Sequence, residues 1–170
     1  SSYFLSAGYF DRRTTIKVLG FGGKQRTYQA WNGVDAETMK TNRRFNSAGA
    51  IYDDNWENII GYYDNETDNY QQDHLQLIAN RRMGHFTANV VLHYTFGRGY
   101  YENYKQDASL SRYHIGPVII NGQEIKYGDV IPQKWLYNHF YGGTAYVSYN
   151  REKITATLSG SYNKFDNNHY

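Results

Sequence analysis

Apolar and polar residues alternate with period two along much of this chain, the pattern of strands with one apolar face and one polar face. Between Phe86 and Phe96, one face carries Phe86, Ala88, Val90, Leu92, Tyr94 and Phe96. The other carries Thr87, Asn89, His93 and Thr95, with Val91 as its lone apolar residue. Between Ile154 and Asn163 the split is cleaner. Ile154, Ala156, Leu158, Gly160 and Tyr162 oppose Thr155, Thr157, Ser159, Ser161 and Asn163. Looser versions run through Tyr3, Leu5, Ala7 and Tyr9, through Leu75, Leu77 and Ala79, and through Tyr141, Gly143, Ala145, Val147 and Tyr149. The stretch from Thr14 to Trp31 is less regular, and Gly20, Gly22 and Gly23 predict a bulge or bend inside a long strand.

The joints fall into two kinds. Tight ones are predicted at Asp11–Arg12–Arg13, at Arg82–Met83–Gly84–His85 and at Asn150–Arg151–Glu152–Lys153; long ones run over 32–69 and 98–134. The result is three hairpins, at about 1–31, 70–97 and 135–170, read as one β-barrel segment. Tight and long joints alternate strictly, so a meander would collect the tight turns at one end and the long loops at the other. Transmembrane barrels have this asymmetry, with short periplasmic turns and long extracellular loops. The fold class expected is therefore all-β: an antiparallel meander of about six long strands, a segment of a transmembrane β-barrel. Tyr9, Tyr94, Phe96, Tyr141, Tyr149 and Tyr162 fall toward the ends of the apolar face, where aromatic rings suit a membrane interface. Inside the long joints, Asp35 before Ala36–Lys40 predicts a capped helical turn. Asn121–Gly122 between two short apolar runs predicts a small hairpin with a type I′ turn, and Tyr127–Gly128–Asp129 a further turn.

Composition sharpens this picture. With 19 tyrosines and a mean hydropathy of −0.79, the chain is too polar and too poor in aliphatic residues for an ordinary soluble core. A net charge of +2 gives no basic surplus for nucleic acid. Arg12–Arg13, Arg43–Arg44 and Arg81–Arg82 fall in or near predicted turns and loops and read as solvated charge. The absence of cysteine excludes disulfides, thiolate metal sites and thiol nucleophiles. No stretch approaches the ~20 apolar residues of a membrane helix. The chain opens at Ser1–Ser2 in a strand-like run without a signal peptide, which reads as a segment excised from repeating structure.

Catalytic chemistry finds no foothold in the motifs. The six histidines lack paired ligand spacing, and the acidic run Asp64, Glu66, Asp68 lacks the glycine and distal glutamate of a calcium loop. No nucleophile elbow, phosphate loop or dinucleotide fingerprint is present. The chain is expected not to be an enzyme and to carry neither cofactor nor metal. Aromatics cluster instead at the bases of the long loops. Tyr28, Trp31, Tyr100, Tyr101, Tyr104, Trp135 and Tyr137, with Arg98, are the candidate ligand-binding residues, rings to stack on a ligand and polar groups to orient it.

Several of these runs resemble a known family. Gly8-Tyr9-Phe10-Asp11-Arg12-Arg13-Thr14, Arg26-Thr27-Tyr28-Gln29-Ala30-Trp31-Asn32-Gly33-Val34, Tyr63-Asp64-Asn65-Glu66-Thr67-Asp68-Asn69-Tyr70-Gln71-Gln72-Asp73-His74 and Gly97-Arg98-Gly99-Tyr100-Tyr101-Glu102-Asn103-Tyr104-Lys105, with Gln133-Lys134-Trp135-Leu136, resemble TonB-dependent outer-membrane receptors of Bacteroides type. The resemblance covers nearly the whole chain and implies a plugged barrel of about 22 strands in the outer membrane of a Gram-negative bacterium. It also implies uptake of a scarce ligand (a siderophore or other metal chelate, cobalamin or a glycan) driven by the TonB machinery. The chain has no plug and about six strands, so the resemblance makes it a middle portion of such a barrel, in contact with outer-membrane lipid. The edges of the isolated portion would be open to self-association. Two rivals stand beside this reading: a soluble secreted β-sandwich that binds carbohydrate, and a small complete barrel of eight strands.

Overall fold

The computed structural model describes residues 1–169. In chain order its elements are β1 (Ser2–Phe10), β2 (Thr14–Tyr28), α1 (Ala36–Thr41), β3 (Ala50–Tyr52), β4 (Ile59–Tyr62), β5 (Thr67–Met83), β6 (Phe86–Glu102) and β7 (Lys105–Ser109). After a 3-10 turn at Leu110–Tyr113 come β8 (Val118–Ile120), β9 (Gln123–Ile125), β10 (Tyr127–Val130), β11 (Gln133–Arg151) and β12 (Ile154–His169). The fold is all-β, and its six long strands form an antiparallel sheet in the order β1-β2-β5-β6-β11-β12. Three two-stranded ribbons accompany it: β3–β4, β7–β10 and β8–β9. The residues group into two compact units. One comprises Ser1–Gln25, Tyr70–Gly99 and the chain from Trp135 onward; the other comprises Arg26–Asn69 and Tyr100–Lys134.

The first unit is built on the period-two pattern. Antiparallel partners share a face, so the pairs Leu5↔Gly20, Ala7↔Val18, Tyr9↔Ile16, Ala145↔Gly160 and Val147↔Leu158 lie on apolar faces of the two outer hairpins. Side-chain contacts carry the same face across the sheet. The Tyr3 hydroxyl donates to Asp73 (2.9 Å), which places Leu75 and Leu77 on the face of Leu5. The Phe86 ring meets Tyr149 (4.9 Å between centroids), and Tyr94 bonds His139 (2.8 Å). Opposite them run Phe21 stacked on His74, His74 bonded to Thr95, and His93 bonded to Asn163. One face is thus apolar from β1 to β12, and the other is rich in hydroxyls, amides and imidazoles. The apolar face is open: Leu5 is 70 % exposed, Leu92 47 % and Leu158 80 %. Among the described residues no apolar side chain is buried.

The turns refine the sequence boundaries. β5 runs to Met83 and β11 to Arg151, so two of the tight turns shrink to Gly84–His85 and Glu152–Lys153. At the third, Asp11 accepts from the amides of Arg13 and Thr14 (2.7 Å each), which fixes the reversal. The bend expected at Gly20–Gly23 is absent. The β1–β2 register runs unbroken from Ser2↔Gly23 to Phe10↔Thr15. At Gly22 the cause of the glycine is close approach: a Cβ there would lie 2.5 Å from Asp73 Oδ1 and 2.6 Å from the Gln72 carbonyl.

The second unit has more order than its sequence announces. Asp35 caps α1 by accepting from the amides of Glu37 (2.9 Å) and Thr38 (2.7 Å). Asn121 (φ 50°) and Gly122 (φ 79°) form the left-handed pair of a type I′ turn between β8 and β9. The turn expected at Tyr127–Gly128–Asp129 is instead strand: Tyr127 pairs with Ser109 and Gly128 with Ala108. That pairing joins residues far apart in sequence, so local turn chemistry gave no sign of it.

Candidate functional site

The second unit is organised around buried polar side chains. Gln29, 1 % exposed, donates through Nε2 to the carbonyls of Thr67 (3.0 Å) and Glu102 (2.8 Å). Its Oε1 accepts from Asn103 (2.5 Å), and its carbonyl accepts from Asn46 (2.8 Å). Glu66 accepts from the Tyr104 amide (2.8 Å) through Oε1 and from Asn103 (3.1 Å) through Oε2. Glu102 accepts from the Tyr63 hydroxyl, from Asn65 (2.6 Å) and from Gln133 (2.6 Å). One glutamine and two glutamates therefore tie 26–69 to 100–134. Every polar side-chain atom of these three residues has a partner, as burial requires.

Charge follows this bonding. The Tyr63 hydroxyl, then the Gln133 and Asn65 amides and the Arg26 charge, hold the Glu102 carboxyl below the usual glutamate range, against the burial that pushes it up. Tyr63 is raised, chiefly by its bond to Glu102. Tyr104 donates to Asp129 (2.5 Å), so the Tyr104 phenol is raised and the Asp129 carboxyl lowered, the latter helped by the Asp107 amide.

A cleft of about 480 Å³ opens beside this network, within the range of small-ligand sites. Trp31, Tyr101 and Tyr104, three of the residues expected from sequence, line it together. Trp31 meets Tyr101 edge-on with centroids 5.0 Å apart, and the Lys134 ammonium lies 5.3 Å from the centre of the Tyr101 ring. Tyr28 and Tyr100 belong to the same unit without lining the cleft, and Tyr28 is 73 % exposed. Arg98, Trp135 and Tyr137 belong to the sheet unit. There Arg98 donates to Gln71 (3.2 Å) and lies 6.0 Å from the Phe96 ring, while Trp135 stacks on Tyr137 (6.2 Å, 15° between planes).

The sequence reading missed Tyr52, Trp56 and Lys134 as cleft residues. A signal for Trp56 was present. Asp53 heads an Asx-type loop, accepting from the amides of Glu57 (2.9 Å) and Asn58 (3.2 Å) and from the Asn58 side chain (2.8 Å). These bonds hold Asp53 below the usual aspartate range, the Asn58 side-chain donation contributing most. They also hold Trp56 at φ 62°, stacked on Tyr52 (5.8 Å). Of the acidic run, Glu66 turns inward to Asn103 and Tyr104. Among the described residues no three His, Cys, Asp or Glu side chains gather as metal ligands. No family model, curated protein or solved structure matches the chain.

Proposed function

We propose that this chain forms six adjacent transmembrane strands in the barrel of a TonB-dependent outer-membrane receptor, with its two long connections serving ligand capture. The observation that carries the reading is the uncovered apolar face of the sheet. A soluble sandwich needs a second apolar layer to cover such a face. The remaining strands are three to five residues long and pair only in ribbons. Lipid meets the need directly.

The spacing of the aromatics supports this. Phe86 and Tyr94 on β6 are eight positions apart on the apolar face, as are Tyr141 and Tyr149 on β11, with aliphatic and small residues between. At ~3.3 Å per residue and ~40° of tilt, eight positions cover about 20 Å of membrane normal, close to the ~25 Å apolar band of such barrels. The opposite face would look into the lumen. The resemblance to the receptor family supplies the rest: a scarce ligand such as a metal chelate, cobalamin or a glycan, energy from the TonB machinery, and no catalysis.

The 170 residues hold no cysteine, so every thiol placed along β6 is an introduced one. Single cysteines are placed at successive positions from 87 to 95 and membranes are treated with a water-soluble or a lipid-soluble maleimide. The reading expects the water-soluble reagent at 87, 89, 93 and 95 and the lipid-soluble one at 88, 90 and 92. Equal labelling of both sets by the water-soluble reagent, with the protein in the soluble fraction, overturns it in favour of a secreted carbohydrate-binding sandwich. Cell growth under iron chelation, cobalamin starvation or a change of glycan then asks which limitation raises the protein in outer-membrane fractions.

A further inference from the structure

The chemistry left free in the cleft is selective. Its amide side chains are largely spent on the fold. Gln106 donates to the Tyr52 carbonyl (2.8 Å) and accepts from the Tyr52 amide (2.9 Å), and Asn32 donates to Ser47 (2.8 Å). Its carboxylate, Glu66, is buried with both oxygens engaged. Lys105 and Lys134 are in no ion pair, since the one among the described residues joins Lys164 and Asp166, and the Lys134 ammonium already faces the Tyr101 ring. What the cleft offers a ligand is therefore two ammonium groups and the faces and edges of Trp31, Tyr52, Trp56 and Tyr101.

Trp56 adds an independent sign. A bulky residue at φ 62° is strained by roughly 1–3 kcal/mol, and such strain concentrates at ligand sites. Here it holds in the cleft wall an indole that is 54 % exposed. Packing the protein's own core does not account for that placement.

We infer that the cleft is a subsite for a ring-bearing anion, a six-membered ring that stacks on the aromatic wall while Lys134 and Lys105 meet its anionic oxygens. This deepens the receptor reading and rests on it. A neutral sugar would leave both ammonium groups without an anionic oxygen to meet, and a cation would find no free carboxylate. The volume suits one or two rings. Two sources share this chemistry, a uronic acid of a glycan and the catecholate of an iron chelate, and the experiment separates them.

The purified protein is titrated with glucuronic acid, 2,3-dihydroxybenzoate and glucose, with tryptophan fluorescence and calorimetry as readouts. One of the two anions is expected to bind, more weakly as salt rises, and glucose at least tenfold more weakly. Glucuronate binding marks a glycan and dihydroxybenzoate binding an iron chelate. Lys134→Gln is expected to lose at least tenfold in affinity, Lys134→Arg to keep most of it, and Trp56→Ala to weaken the fluorescence response, leaving the share that comes from Trp31. Binding of neither anion, equal binding of glucose, or full affinity in Lys134→Gln overturns the inference. The cysteine pattern along β6 is scored separately, so failure of the subsite is distinguishable from failure of the membrane reading.

Discussion

Placing an arginine at successive points along the apolar face of β6 measures what covers that face. Val90 lies midway between Phe86 and Tyr94 and is 39 % exposed, which puts it at the centre of the proposed apolar band. Arginine at the midplane of a barrel wall costs about 2–4 kcal/mol, falling to about 0–1 near the interfaces. Val90→Arg should therefore lower the folding constant by a factor of roughly 30 to 700, since each 1.4 kcal/mol is tenfold. Phe86→Arg should cost a small fraction of that. Asn89→Arg, one residue away on the polar face, should fall within about 0.5 kcal/mol of wild type. The assay is equilibrium unfolding in guanidinium of the protein reconstituted in lipid vesicles, read by heat-modifiable mobility. The shape of the profile decides. A packed soluble core would penalise Phe86→Arg as heavily as Val90→Arg, because core burial has no depth axis. A flat profile, or an Asn89→Arg penalty equal to that of Val90→Arg, refutes the lipid-facing assignment.

Three further outcomes follow from particular contacts. Gly22→Ala should destabilise by about 1–3 kcal/mol because its Cβ meets the Gln72 carbonyl and Asp73, whereas Gly20→Ala, with nothing within 4 Å, should be near neutral; paired melting curves check this. Gln29→Ala takes a donor from the Thr67 and Glu102 carbonyls and leaves the Asn103 amide its bond to Glu66, at a cost of about 1–3 kcal/mol for each carbonyl left unsatisfied, and amide exchange over 26–69 and 100–134 should accelerate while that of the sheet does not. Glu102 is held below its ordinary value near 4.5, so its contribution is complete above that value and is lost as pH falls through the lowered one. Exchange at Tyr63, Asn65 and Gln133 should rise across that acidic window in wild type and show no such step in Glu102→Gln.

The parts of the fold legible in the sequence are those where one residue decides or one face is uniform. β6 as far as Phe96 and β12 as far as Tyr162 read clearly because every second residue is apolar or glycine and nearly every intervening one carries a hydroxyl, amide or imidazole. Asp35 marked α1, and Asn121–Gly122 marked the β8–β9 turn, because each supplies a local bond or dihedral that little else supplies. The ribbons β3–β4 and β7–β10 were illegible for the opposite reason. Their strands are three to five residues long, too short to display an alternation, and the second joins residues on either side of the β8–β9 hairpin. Gly20–Gly23 misled because glycine signals both bending and close approach, and only the neighbouring strand distinguishes them. In the cleft, Trp31, Tyr101 and Tyr104 were legible as aromatics beside strand ends. Lys134 and Tyr52 reach it through the pairing of distant segments. Trp56 gets there through the Asp53 loop, whose acidic residues read as solvated rather than as a device for aiming a ring.

The unbroken registers of β1–β2 and β11–β12 constrain how such a chain can evolve. Removing one residue from β12 ahead of Leu158 would turn that leucine toward its hydroxyl-lined side and send its serine and threonine neighbours the other way, along the whole remainder of the strand. Removing two would restore the alternation and merely shorten the wall. Length changes inside the long strands should therefore survive selection in even steps, while the connections between them accept odd and even alike. Lineages descended from a common ancestor would keep the parity of their strands long after the loops had lost all trace of kinship.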